Sequence, residues 1–340
     1  MIIPFFVAAM EYARLPITWI LIIMNLILYI NIHPFQDKVE QEIQSILLKD
    51  DFFLTHSKVY YYYLKNQEKI DSEHFNKDSL VYALALNSKV GEVDDLYRLA
   101  VFSFRDKQFL NYVKDHKIHF GDQQLVTSWE KQMDQLQELQ QKSPHAQWGL
   151  SDQGTWVNWL TYLFVHASFW HLLGNMAFLL IFGSVLELLM GPLFFLLFYI
   201  LAGIFGAFVF MSVFNFSSIP LVGASGAISG LMAFFVTLYW TRPVRFFYWL
   251  FPIPGYFGWL FLPAWTVALL WLFSDLAGFF GTISEVGGIA YAAHLGGAFM
   301  GICVGLLFRP YVKLHSPYFL RQLIELNEPL GPVDAEKETA

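Results

Sequence analysis

The sequence predicts an all-α integral membrane protein, a six-transmembrane-helix bundle with a soluble helical insert between its first and second spans. Three observations carry this. Of the 340 residues, 56% are hydrophobic and 14% charged, with a mean hydropathy of +0.45. That is far too apolar for a soluble domain of this length. The charges are clustered, because residues 35–155 hold 14 of the 21 Lys and Arg and 19 of the 28 Asp and Glu. Finally, apolar runs at about 15–33, 167–190, 192–213, 221–240, 256–274 and 288–308 approach the ~20 residues a spanning helix needs.

Each element has its own signal. The first run, Leu15–Ile32, is long enough to span, and no small-x-small cleavage site follows it. It therefore reads as a retained helix and not a cleaved signal peptide. Residues 1–34 form an N-terminal segment with this first helix, and 35–147 an extracytoplasmic, helical insert. Residues 148–310 form a core of five spans, and 311–340 a cytoplasmic tail. The insert is rich in helix formers, as in EQEIQSILLKD, VYYYYLKNQEKI and EKQMDQLQELQQK. It also holds a faint repeat, KDDFFL at 49–54 and RDKQFL at 105–110, both of the form [K/R]-D-x-x-F-L. Gly191-Pro192 divides the second run from the third, and Ile219-Pro220 precedes the fourth. Pro243, Pro252, Pro254 and Gly255 break the chain before the fifth.

Orientation follows from basic residues in short loops. Arg14 precedes the first span, Arg242 and Arg245 lie between the fourth and fifth, and Arg309, Lys313 and Arg321 follow the sixth. The loops after the third and fifth carry no Lys or Arg, so both termini are expected to be cytoplasmic. A net charge of −7 suggests neither a nucleic-acid partner nor a polybasic lipid-binding tail. The single cysteine, Cys303, excludes an intrachain disulfide and reads as core packing.

With this orientation the second, fourth and sixth spans start on one side of the membrane. The second opens with HASFWHLLGNM, carrying His166, His171 and Asn175. The fourth carries Ser225 in LVGASGAISG, about five residues in, and the sixth carries His294 in YAAHLGGAFMG. At ~1.5 Å rise per residue, Ser225, His294 and Asn175 lie at one depth, on the order of 10 Å below the outer surface. Polar groups within a membrane are costly and face the bundle interior. Bland readings stand beside this one. Ser225 with Gly226-x-x-x-Gly230 is a small-residue packing face, matched by Gly297, Gly301 and Gly305 on the last span. His294 can be a satisfied core histidine, and His166 an interfacial one. The packing and functional readings are compatible, since close backbone approach brings a hydroxyl within reach of an imidazole.

A zinc site on His166, His171 and His294 lacks an H-E-x-x-H motif and a nearby carboxylate. The pair His116 and His119 has no further ligands nearby. No metal or cofactor is expected. A nucleophilic serine needs a base, which His294 can supply. It also needs oxyanion donors, and Asn175 with His171, four residues apart, share a helix face. No Asp or Glu lies at a depth to orient His294, which makes a Ser–His dyad and not a triad. Glu187, at the opposite end of its span, reads as structural, bonding a neighbouring helix or loop. A transporter would need more charge along a pore than this one carboxylate.

The set HASFWHLLGNM, GASGAISG and AHLGG resembles the rhomboid family of intramembrane serine proteases, marked by H-x4-H-x3-N, G-x-S-G and A-H-x-x-G on successive helices. The resemblance covers the first span and residues 148–308. It implies Ser225 as nucleophile, His294 as general base and then acid, and an oxyanion hole of Asn175, His171 and the Ser225 N–H. His166, Gly223 and Gly226 would be supporting residues. It implies single-span membrane proteins as substrates, membrane lipid as surroundings, no cofactor, and a multi-pass protein of a bacterial inner (plasma) membrane. The fifth span and last outer loop, 256–288, would form a gate with Phe257, Trp259, Phe261 and Trp265 as bulky candidates. Two departures stand out. The Trp-Arg pair of many members is replaced by Val157 and Asn158, flanked by Trp156 and Trp159. The aromatic expected four residues after the serine is Ser229, so His294 is held less firmly or Ser229 bonds it. The insert, outside the common core, could screen substrates or bind a partner. The alternative function is a catalytically impaired rhomboid-like protein that binds membrane helices.

Overall fold

A computed structural model describes residues 2–5, 15–49, 52, 55–60, 63, 103, 106–115, 123–213, 220–241, 243–249, 257–269, 271, 273 and 289–315. The chain divides into two compact units, Met1–Pro34 with Pro144–Ala340, and Phe35–Ser143. Helix α1 (Pro16–Leu47) runs through the boundary between them.

The unit Phe35–Ser143 is helical in its described parts, with α2 (Lys107–Asp115) and α3 (Gln123–Lys142). Its core is aromatic, built from Phe52, Tyr60, Tyr63, Phe109 and Trp129 with Met133. One copy of the short repeat has a clear structural meaning. The Asp106 carboxylate accepts from the N–H groups of Gln108 and Phe109, both at 3.0 Å, and so caps the start of α2. It also accepts from the Tyr60 hydroxyl at 3.1 Å. Phe109, three residues on, is fully buried. Asp50 and Phe53 of the other copy lie outside the described residues.

In the other unit, the second predicted span is a single run, Phe169–Met190, made of α4 (Phe169–Phe178), a π-helical turn Leu179–Gly183, and α5 (Ser184–Met190). Ser168 begins it, its hydroxyl accepting from the His171 N–H at 3.2 Å. Gly191 ends it at φ 79°, and Pro192 opens α6 (Pro192–Val213). This is the usual asymmetry of glycine after a helix and proline at the start of the next. The last long helix is α8 (Ile289–His315). Among the described residues four helices are long and apolar enough to cross a membrane: α1, Phe169–Met190, α6 and Tyr291–Pro310 within α8. Helix α7 (Ser225–Tyr239) is apolar but shorter.

The fifth predicted span, 256–274, is corrected. Ile2–Phe5 (β1), Pro243–Trp249 (β2) and Phe257–Pro263 (β3) form an antiparallel sheet in the order β1-β2-β3. Phe5 pairs with Arg245, and Trp249 with Phe257. Helix resumes only at 265–269, 271 and 273. PVRFFYW and FGWLFLP are aromatic-rich, favouring strands, and a Pro- and Gly-containing connection joins them. Prolines sit where a ladder tolerates them, Pro243 at the start of β2 and Pro263 at the end of β3. The architecture is therefore mostly helical with a small sheet.

Glu187 has a plain structural role, as expected. It is buried, and its Oε1 accepts from the Ile17 N–H at 2.9 Å. Its Oε2 accepts from the Thr18 N–H at 2.8 Å and the Thr18 hydroxyl at 2.7 Å. A carboxylate from α5 thus caps the first turn of α1, satisfying donors that have no partner within their own helix. Helices α6, α7 and α8 meet through small residues. A Cβ on Gly297 would land on the Gly226 carbonyl, one on Gly301 on that of Gly230, and one on Gly206 within 2.6 Å of the Ala293 carbonyl.

Candidate active site

The site is built around the chain just before α7. Leu150 and Leu221 pair through both backbone groups, at 3.0 and 2.7 Å. The Gly223 N–H donates to the Tyr162 carbonyl at 2.9 Å. The fully buried Tyr162 in turn donates its hydroxyl to the Gly203 carbonyl of α6 at 2.7 Å. Gly223 has φ 117°, a conformation that side chains rarely adopt. This holds residues 220–224 out of helix, so α7 begins at Ser225 itself and not at residue 221, where the apolar run starts. The first helical bond across this junction runs from the Ile228 N–H to the Ala224 carbonyl at 3.0 Å. The N–H groups of Ser225, Gly226 and Ala227 therefore precede it and have no acceptor within the helix. They give this end of α7 an affinity for negative charge.

Ser225 is 9% exposed, and its Oγ lies 2.7 Å from Nε2 of His294 on α8. The two residues are 69 apart in the chain. The glycine faces of α7 and α8 cause this closeness. Gly226 faces the Ala293 carbonyl, at 3.4 Å from where its Cβ would be, in the residue before His294.

His171 and Asn175, one turn apart on α4, border the same space. A Cβ on Gly223 would lie 2.7 Å from His171 Cε1, 3.0 Å from its Nε2 and 3.8 Å from Asn175 Nδ2. The absent side chain thus leaves a recess edged by an amide and an imidazole. Asn175 is 6% exposed, and its Nδ2 has no partner among the described residues. An unpaired buried donor is costly, and such groups call for a functional explanation. His166 is buried at 3% exposure, and its ring meets His171 edge-on with centroids 5.2 Å apart. It reaches the site through that ring. Among the described residues no group of three His, Cys, Asp or Glu side chains is placed to hold a metal ion.

Both departures resolve in the structure. Asn158 is buried and ties the preceding loop together. Its amide donates to the carbonyls of Gln147 at 2.8 Å and Gly149 at 2.9 Å, and its oxygen accepts from Thr155 N–H and Oγ1 at 2.7 and 2.9 Å. Trp156 beside it is 84% exposed. Ser229 is fully buried, and its hydroxyl has no partner among the described residues, so it does not bond His294. Rings do meet His294: Tyr291 at 5.8 Å and Trp271 at 5.7 Å between centroids. Sequence reasoning missed Trp271, which stands in an apolar run like any lipid-facing tryptophan. The one available signal was the vacancy at Ser229. Of the expected gate residues, Phe257, Trp259 and Phe261 lie on β3, and Trp265 donates its N–H to the Trp240 carbonyl at 3.2 Å.

A family model described as the Rhomboid domain matches residues 153–311, the stretch that holds every one of these site residues. The chain is also 32% identical over 148 residues to Rhomboid protein 1, mitochondrial, of Saccharomyces cerevisiae. That match covers 42% of this chain and 39% of the yeast protein, so the chain spans well under half of its relative's length. Over residues 153–311, then, the chain is similar to the rhomboid family.

Proposed function

We propose that this protein is a serine endopeptidase that hydrolyses peptide bonds in or near the membrane-spanning segments of single-span proteins. The observation that carries this is the 2.7 Å contact between Ser225 Oγ and His294 Nε2, made by two residues on separate helices of the stretch similar to the rhomboid family. Ser225 Oγ attacks the scissile carbonyl carbon while His294 Nε2 takes its proton. The tetrahedral oxyanion lies in the recess at Gly223, where Asn175 Nδ2, His171 and the Ser225 N–H can donate to it. When the C–N bond breaks, His294 returns the proton to the leaving amine. Water then attacks the acyl-Ser225 ester, again giving its proton to His294, and the acid product leaves with Ser225 restored. The chemistry calls for no cofactor. Loop charges support a multi-pass membrane protein whose site opens toward the outer side.

The test is cleavage of a single-span substrate by the parent chain, Ser225→Ala and His294→Ala, with fluorophosphonate labelling of Ser225 alongside. Each variant is expected to lose roughly 10³-fold or more of the parent rate, and labelling to require His294. Parent-like cleavage by either purified variant would sink the mechanism. A correctly folded parent chain that binds membrane helices without cutting them would establish the helix-binding alternative.

A further inference from the structure

Among the described residues, His294 lies against two aromatic rings of different origin. Tyr291 is three residues earlier on the same helix and meets it edge-on, at an interplanar angle of 86°. Trp271 comes from a separate stretch of chain and meets it tilted at 42°. The half-buried Trp271 also touches the Phe178 ring edge-on, with centroids 5.2 Å apart. Phe178 lies three residues after Asn175 on α4, hence on its face of the helix. One indole therefore bridges the helix of the amide donor and the helix of the imidazole. Helix α7 offers no ring of its own there, since one turn beyond Ser225 it carries Ser229, whose hydroxyl has no partner among the described residues.

We propose that Trp271 is a positioning residue for the Ser225–His294 pair, taking the place on the imidazole that Ser229 leaves empty. This rests on the protease reading above. Tyr291 moves with α8 and His294, so it cannot fix the imidazole relative to α4 and α7. Trp271 can, because Phe178 anchors it on α4. Beside this tilted ring the imidazole loses freedom to rotate about its Cβ–Cγ bond, and Nε2 stays directed at Ser225 Oγ. Orientation of this kind acts on the rate of the chemical step and not on substrate affinity.

The experiment uses the full chain in detergent micelles, with two readouts. One is the rate of fluorophosphonate labelling at Ser225 from about pH 5 to 9, which follows the state of the base. The other is kcat and KM on a fluorescently quenched single-span peptide. Trp271→Leu keeps bulk but removes the ring. It is expected to slow labelling roughly 10- to 100-fold, lower kcat with KM little changed, and shift the labelling pH profile. Trp271→Phe keeps a ring and is expected to stay within about threefold of the parent. Ser229→Tyr placed in the Trp271→Leu background puts a ring on α7 and is expected to recover most of the loss. A tryptophan that merely fills space would leave the pH profile unmoved and would not be rescued by Ser229→Tyr. A folded Trp271→Leu chain with the parent's labelling rate and pH profile, or with only KM changed, overturns the proposal. Absence of Ser225 labelling in the parent would instead overturn the protease reading. In that case 13C-histidine NMR decides the ring contact: the His294 Cε1–H resonance is expected to move in Trp271→Leu, and an unmoved resonance overturns it.

Discussion

At the scale of single residues, the site depends on groups that are small, or left unpaired, for a reason. Gly223 has a backbone conformation unsuited to side chains, and a Cβ there would fill the recess between His171 and Asn175. Asn175 keeps a buried N–H donor at the edge of that recess, without a partner among the described residues. If this donor serves the oxyanion, Asn175→Ala is expected to lower kcat by about 10²–10³-fold with little change in KM. Steady-state kinetics on a single-span substrate check this, and a loss confined to KM would assign Asn175 to substrate binding instead. These residues were legible because the H-x4-H-x3-N and G-x-S-G spacings are local patterns. Trp271 was not, because its meeting with His294 depends on where two distant stretches come to rest. Ser229 shows the same limit: its type was plain in the sequence, but its lack of a partner was not.

At the scale of elements, the chain breaks between helices follow local rules, as at Gly191-Pro192, where glycine ends α5 and proline begins α6. The start of α7 follows a tertiary one. Leu221 pairs with Leu150 and Gly223 with Tyr162, and this cross-bonding delays the helix until Ser225. Ser225 therefore sits at a helix N-terminus, where hydropathy alone had placed it inside a span. Glu187 is the clearest case of one element completing another. Replacing it with Ala strands the Ile17 and Thr18 donors inside the protein, at a cost of about 2–4 kcal/mol. The thermal unfolding midpoint in micelles is expected to fall for Glu187→Ala and less for Glu187→Gln, which keeps one acceptor oxygen. A midpoint unchanged in Glu187→Ala would show that α1 does not depend on this cap.

At the scale of the whole molecule, the two units call for separate accounts. In Phe35–Ser143 the fully buried His56 accepts at Nδ1 from the Trp129 indole at 3.2 Å, so its proton resides on Nε2, which faces Ser103 Oγ. Burial pushes its pKa down from 6.5 to about 3. The unfolded chain therefore takes up the proton first. This unit's stability is fully present above pH ~6.5 and declines as pH falls from there toward ~3. Hydrogen exchange over Gln123–Lys142, corrected for intrinsic rates, is expected to show protection falling from pH 7.5 to about 5. His56→Gln, which can serve both partners without titrating, is expected to flatten that dependence. Equal pH dependence in the two chains would remove His56 as its cause. The sequence by itself determined that the chain belongs in a membrane, where the long helices begin, and which polar residues form one set. Those properties add up over neighbouring residues, so local composition and spacing suffice. Only the tertiary structure decided that 257–263 is a strand and not part of a fifth spanning helix. Its backbone bonds go to β2, and β2's other edge goes to Ile2–Phe5, far away in the chain. Tertiary structure also decided that helix starts at Ser225 and that a tryptophan stands against His294. Each is settled by which distant partner is available, and that is a property of the folded chain and not of any stretch within it.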